Sequence, residues 1–272
     1  MGVNLIFRAI RYLFFYLPSL IYRKHVLVRK CEKILSKFDY SQIGDEVLSG
    51  PFHKMKYDVS AGSYCSAFYP KILGSYEFEL HGKIGDLLES KNYSIVIDVG
   101  CAEGYYAIGF ALLTKKKGTK IFAFDTSEEA IRLCNRLKDL NNIENLTLKN
   151  SFFDNATYLN LKKTNPGPSL LFMDCEGYEI DFFSNISLDD YMETDFIIEL
   201  HDFLNFGTAF NLQEKLKFTH DIFFIHSIDD LYRPIYWEFI DLKSKFSYDE
   251  LYALMREGRL SGMSWLVATS KI

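Results

Sequence analysis

The stretch IDVGCAEGYYAIGF, Ile97–Phe110, decides the fold. It starts inside the apolar run SIVIDVG (94–100), which closes on Asp98 and Gly100, and it continues directly into the helix-forming run YYAIGFALL (105–113). A strand, a glycine turn and a helix this close together are the opening unit of a parallel sheet. Glycine allows a tight turn and lets a ligand approach the backbone. The helix start offers free N–H groups that suit a carboxylate or a phosphate.

Working outward, the same rhythm repeats. KIFAFDT (120–126) reads as the next strand, and Thr126 with Glu129 forms a capping-box signal for a helix striped by Ala130, Leu133, Leu137 and Leu140. LTLKNS (146–151), SLLFM (169–173) and DFIIEL (195–200) are further strands. A helix over about 207–217, a strand DIFFIHS (221–227) and a last strand SWLVATS (264–270) complete the pattern. The expectation is an α/β fold. It has a Rossmann-like, seven-stranded, mostly parallel sheet with helices on both faces and the last strand antiparallel. Residues 1–60 are expected to form an amino-terminal helical extension and 61–272 the main domain, with core motifs over 94–202 and an irregular insert at 228–263. In such sheets ligands bind at the carboxyl ends of the strands. The residues just after 97, 125, 151, 174 and 200 should therefore face one cleft.

Glycine spacing narrows the ligand. The order is G-x-A-x-G, at Gly100, Ala102 and Gly104, whereas a dinucleotide fingerprint needs G-x-G-x-x-G. Asp125 ends the second strand, where a carboxylate can accept from two ribose hydroxyls. That feature is common to NAD and S-adenosylmethionine sites, but the glycine spacing favours S-adenosyl-L-methionine. The candidate cofactor-binding residues are Asp98, Gly100, Ala102, Glu103, Gly104, Asp125, Ser151 and Asp174. A glycine turn with no ligand is the structural alternative.

IDVGCAEGYYAIGFA, FAFD, LLFMDCEGYEIDFF and DFIIELHD resemble, in order, the motifs of class I S-adenosylmethionine-dependent methyltransferases of the FkbM type. The DCEGYE segment is the most specific of them. The resemblance spans about 94–202, with weaker support at SWLVATS. It implies O-methylation of a hydroxyl on a glycan, glycolipid or related natural product, as in polysaccharide biosynthesis. It also implies that KILGSYEFEL (71–80) sits where related enzymes have a helix closing over the cofactor, with Tyr76 and Glu77 as its candidate contacts.

LLFMDCEGYEIDFF (170–183) carries four carboxylates after an apolar run: Asp174, Glu176, Glu179 and Asp181. A sugar hydroxyl is a very weak acid, so its methylation calls for a base or a metal. Asp174 and Glu176, at the strand end, are candidate catalytic residues. Asp181 suits the helix start, where a carboxylate complements the dipole, and Glu179 is left open between the two roles. ELHD (199–202) adds Glu199, His201 and Asp202 on the neighbouring strand. His201 is the candidate general base without a metal; a structural histidine is the alternative. An oxygen-rich set of this kind also suits Mg2+, with Asp174 and Asp202 as candidate ligands. In the insert, Tyr232, Arg233, Tyr236 and Trp237 suit a sugar or an ordinary packed lid.

Composition sets the outer bounds. The chain has 272 residues, 48% of them hydrophobic, enough for one large packed domain. With 31 Lys plus Arg against 36 Asp plus Glu, the net charge is -5, and the expectation is no nucleic acid as partner. The five cysteines lack a CxxC pair and read as reduced core residues of a cytoplasmic protein. Six basic and no acidic residues fall within 1–31, around the short aromatic run YLFFYLPSLIY. It is too short to span a bilayer. Asn4, Arg8 and Arg11 on one helical face suggest peripheral contact with the inner face of a membrane, or packing on the domain. Two rival functions stay open: an NAD-dependent or nucleotide-sugar oxidoreductase, and a non-catalytic, membrane-associated binding module.

Overall fold

A computed structural model describes residues 29–34, 36, 46–57, 67–259 and 262–272. The amphipathic segment of residues 1–28 lies outside the described residues. No helix among the described residues is long and apolar enough to cross a membrane.

Seven strands form one sheet: β1 (Ile95–Val99), β2 (Lys120–Asp125), β3 (Leu146–Asn150), β4 (Ser169–Met173), β5 (Thr194–Leu200), β6 (His220–His226) and β7 (Ser264–Ser270). Their order is β3-β2-β1-β4-β5-β7-β6. The pairs from β3 to β5 are parallel, and β7 runs antiparallel to both β5 and β6. The α/β class, the seven strands and the antiparallel final strand are as the sequence pattern predicts. The chain order steps from β3 back across to β4, beside β1. This reversal opens a crevice beyond the carboxyl ends of β1 and β4.

The helices are α1 (Phe68–Leu73), α2 (His81–Ser90), α3 (Tyr105–Thr114), α4 (Glu128–Leu140), α5 (Asn155–Thr164), α6 (Glu179–Ser184), α7 (Thr208–Leu216), α8 (Arg233–Tyr236), α9 (Ile240–Lys243) and α10 (Tyr248–Met255). Central strands are buried on both faces, so successive residues feed two cores. Val96, Ala123 and Phe172 pack with α2 and α3 on one side. Ile97, Phe124 and Met173 pack with α5, α6 and α7 on the other. Ser127, one residue beyond the predicted Thr126, caps α4 by accepting from Ala130 N.

The described residues ahead of α1 pack on the same core. Phe52 sets its ring edge-on to Tyr105, Tyr106 and Phe110 of α3. Residues 29–34 are helical, and Cys31 and Ile34 pack with Leu73, Trp237 and Leu254. The insert is anchored by buried charge: Arg233, fully buried, pairs with Glu79 and Glu257 and donates to Ser75 O. Trp237 is also buried, so Arg233 and Trp237 hold the insert in place, while Tyr232 and Tyr236 face solvent.

Candidate functional site

The loop after β1 is shaped by two close approaches. Gly100 has φ 85°, and a Cβ there would sit 1.8 Å from the carbonyl oxygen of Asp174. Only glycine lets the end of β1 lie against the end of β4. Gly104 has φ 100° and faces Cys134, where a Cβ would meet Sγ at 2.4 Å. Its role is to seat α3 on α4; it lines neither pocket described below.

Ala102, at φ 46°, donates its backbone N–H to Asp125 Oδ2 at 3.0 Å, and Ser127 N donates to Asp125 Oδ1 at 2.8 Å. The acid at the end of β2 is thus fixed across the mouth of the β1 loop. A cleft of about 400 Å³ opens there, lined by Gly100, Ala102, Asp125, Ser151, Asp174 and Glu176, among others. A smaller pocket adjoins it and shares Gly100, Ala102 and Asp174. Its lining adds Lys71, Tyr76, Asp98 and Glu103. The predicted cofactor residues other than Gly104 therefore line these two connected spaces.

Asp98 and Glu103 are buried, and Asp98 Oδ2 and Glu103 Oε2 find no hydrogen-bond partner among the described residues. Burial, and after it the Asp174 carboxylate, push the Asp98 carboxyl well above its ordinary range. Buried carboxylate oxygens without donors call for a cationic ligand. The amino-acid end of an S-adenosyl compound supplies an ammonium and its nucleoside supplies ribose hydroxyls, so the residues present fit that group.

Beside the cleft, the second expected group assembles. Glu176 (φ 53°) and Gly177 (φ 100°) turn the chain sharply after β4, so that α6 starts back beneath β5. This brings Glu179, fully buried, under His201, which is 1% exposed. His201 Nδ1 lies 3.0 Å from Glu179 Oε1, which also accepts from Cys175 N and Gly177 N at 3.3 Å each. His201 Nε2 faces the opposite way, 3.8 Å from Asp174 Oδ1 and 3.5 Å from both Glu176 Oε2 and Glu199 Oε2. Burial pulls the imidazole down, but the hydrogen bond and charge of Glu179, with Asp174 and Glu176, outweigh it and hold His201 above 6.5. Burial likewise works against ionised Glu179, and its bond to His201 leads the effects that hold it below the usual range. The two shifts are one ion pair seen from either partner.

Asp174, Glu176 and His201 offer one donor atom each within 4.8 Å of one another, a set able to hold a cation. Asp202 is not part of it, which corrects the expected Asp174–Asp202 pair. Its carboxylate accepts from Gly207 N and Ala209 N, at 3.1–3.3 Å, and caps α7. Asp181 is exposed in the first turn of α6. Two contributors come from outside the sheet motifs. Lys71 arrives from α1, before the motifs begin. Arg259 arrives from the end of the insert and pairs with Glu77, Glu199 and Glu257. Tyr76 also reaches the site: its hydroxyl lies 3.3 Å from Arg259 Nη2.

Residues 90–165 match the family model of a methyltransferase domain. No curated protein sequence matches the chain. Among solved structures, similar folds include an rRNA methylase from Streptococcus thermophilus, at 16% identity over 71% of this chain and 96% of that one, with a TM-score of 0.44. A human methyltransferase 10 domain containing protein shares 13% identity over 70% of this chain and 80% of its own, with a TM-score of 0.40. A Streptococcus mutans protein solved in complex with SAH shares 13% identity over 66% and 89%, with a TM-score of 0.41. The presence of an rRNA methylase on this fold corrects the exclusion of nucleic acid as a partner. A net charge of -5 is a sum over the chain and says nothing of the one face that meets an acceptor. The first two strands of the sheet and the G-x-A-x-G loop facing Asp125 fall within the part of the chain that matches a methyltransferase domain.

Proposed function

We propose that the chain is an O-methyltransferase of the FkbM type, acting on a hydroxyl of a glycan, glycolipid or related natural product. The carrying observation is the orientation of His201. Its Nδ1 lies 3.0 Å from the Glu179 carboxylate, an acceptor, so once the imidazole is neutral the lone pair is on Nε2, which faces the mouth beside Asp174 and Glu176. A nitrogen so placed suits an acceptor hydroxyl, whose proton must leave as the new C–O bond forms.

When bound, the cofactor supplies an electrophilic methyl group on a sulfonium. The protein does the rest. Asp125 suits the ribose hydroxyls, and Asp98 with Glu103 suits the ammonium, which together fix the donor across the β1 loop. Asp174 sits between the cofactor pockets and His201, close to both. Alignment of donor and acceptor supplies roughly 7–11 kcal/mol of the barrier reduction. The base at Nε2 adds about 10²–10⁴-fold. Because the His201 pKa is raised, the base becomes available as pH rises through a value above 6.5. The loop after β5 presents Phe203, Leu204 and Phe206 to solvent, faces that suit the apolar side of a sugar ring.

The test is transfer of a labelled methyl group to a panel of glycans, glycolipid extracts, RNA and protein. The expected label is an alkali-stable methyl ether in a carbohydrate fraction, lost in His201→Gln. Label on a nitrogen, or equal activity in His201→Gln, overturns the proposal. A ribose 2′-hydroxyl as acceptor would keep the chemistry and replace the acceptor class.

A further inference from the structure

We propose that Asp174, Glu176 and His201 form a site for one divalent transition cation of the zinc class, and that an ion held there takes the Nε2 lone pair and so stops methyl transfer. The inhibition rests on His201 being the base; the binding does not. Three carboxylate oxygens surround Nε2: Asp174 Oδ1 at 3.8 Å, and Glu176 Oε2 and Glu199 Oε2 at 3.5 Å each. These spacings are long for hydrogen bonds. They are close to what a shared ion needs, since donors 2.0–2.2 Å from a tetrahedral metal lie roughly 3.3–3.6 Å apart. Asp174, Glu176 and His201 each offer one donor atom, all within 4.8 Å of one another. Glu176 is 82% exposed, so its carboxylate is free to swing onto the ion. Glu199 stands beside the set, held through Oε1 by Arg259.

Two further observations separate this group from an ordinary patch of acidic surface. His201 is 1% exposed, and its hydrogen bond among the described residues is made by Nδ1, so Nε2 points into the cluster without one. Asp174 Oδ1 is buried and also lacks a hydrogen-bond partner among the described residues. Buried polar atoms that converge without hydrogen bonds mark a place for a ligand. Behind the ring, Glu179 holds Nδ1 at 3.0 Å. A carboxylate in that position fixes a metal-binding histidine and raises its strength as a donor. The donor types select the ion. Mg2+ asks for near-octahedral oxygen ligation and keeps several waters, whereas imidazole suits Zn2+ and its transition-metal neighbours. Ligation uses the lone pair that would take the acceptor's proton, so a bound ion and a working base exclude one another.

The experiment titrates Co2+, a spectroscopic stand-in for Zn2+, into the untagged whole chain with S-adenosylhomocysteine present, whose neutral sulfur adds no cation beside Asp174. One Co2+ should bind per chain and show the visible band of a four-coordinate ion. Zn2+ should displace it, and Mg2+ at equal concentration should not. In Glu179→Gln the Co2+ affinity should fall roughly tenfold to a hundredfold, as on loss of an orienting carboxylate, and in Glu176→Gln by at least as much. Asp202→Ala changes a carboxylate outside the set and should bind within about twofold of the unaltered protein. Glu176 is exposed, so Glu176→Gln tests the site even where Glu179→Gln does not fold. Methyl transfer should fall in step with Zn2+ occupancy and return on chelation. Absence of saturable Co2+ binding, or equal affinity in Glu176→Gln, overturns the site and leaves His201 as the base. Displacement by Mg2+ overturns the choice of ion. Saturable binding with turnover raised by Zn2+ overturns both the inhibition and His201 as the base.

Discussion

Glu179→Gln is the most informative single change, because the structure says which part of the interaction it removes. Glu179 Oε1 is held by three donors, His201 Nδ1–H and the amides of Cys175 and Gly177. The two amides should keep the oxygen of glutamine facing the imidazole, so the tautomer survives and only the charge is lost. A hydrogen bond to a charged acceptor is worth about 1.5–3 kcal/mol and a neutral one about 0.5–1.5. The difference, about 1–1.5 kcal/mol, is close to tenfold in rate. The plateau rate should therefore fall about tenfold, well short of the loss expected on removing the base itself. Glu179 leads the effects that raise the His201 pKa, so the acid limb of the pH–rate profile should move to lower pH. The assay is methyl transfer at saturating donor between pH 5 and 9, with intact fold checked by melting. A limb that stays in place, or moves to higher pH, would refute a base held by Glu179.

Three other outcomes follow from the geometry. Asp202→Ala removes the cap of α7 and should lower stability by about 1 kcal/mol while turnover stays within about threefold; a hundredfold loss of turnover at an unchanged melting temperature would return Asp202 to the chemistry. Gly100→Ala places a methyl group on the Asp174 carbonyl and forces a left-handed residue, so a loss of at least about 1–3 kcal/mol and of S-adenosylhomocysteine binding is expected by thermal and calorimetric measurement. The His201–Glu179 pair stabilises the fold through a raised histidine and a lowered carboxylate. Its contribution is full between about pH 4.5 and 6.5, and it fades as pH falls through the Glu179 value or rises through that of His201. Denaturant midpoints measured across pH should show that alkaline decline in the unaltered protein and lack it in His201→Gln.

The sheet and the cofactor loop were legible because their constraints are local. A strand that ends in Asp98 and Gly100 and runs into a helix has few folds to choose from, and Asp125 follows from the same βα rhythm. Asp174 and Asp202 show why the catalytic group was harder to read. Both are aspartates at the ends of adjacent parallel strands. What separates them is the path of the following loop: residues 203–206 curl so that Gly207 and Ala209 turn their amides onto Asp202. The turn at Glu176 and Gly177 had a similar effect on Glu179. The sequence leaves it open between the chemistry and the helix start, and it lies beneath His201. Arg259 had no signal at all, and within 71–80, the segment expected over the cofactor, Tyr76 and Glu77 stood out and Lys71 did not. Arg259 and Lys71 each meet partners far away in the chain, Glu199 and Glu103. Arg233 and Trp237, which the sequence leaves between a sugar site and a packed lid, serve as buried anchors.

The cleft at Gly100, Asp125 and Asp174 should take an S-adenosyl compound. Its most direct test is calorimetric titration of the whole chain with S-adenosylhomocysteine and, separately, with NAD. One S-adenosylhomocysteine should bind per chain, binding should be lost in Asp125→Ala, and NAD should give no heat. Saturable binding of NAD with none of S-adenosylhomocysteine would contradict it.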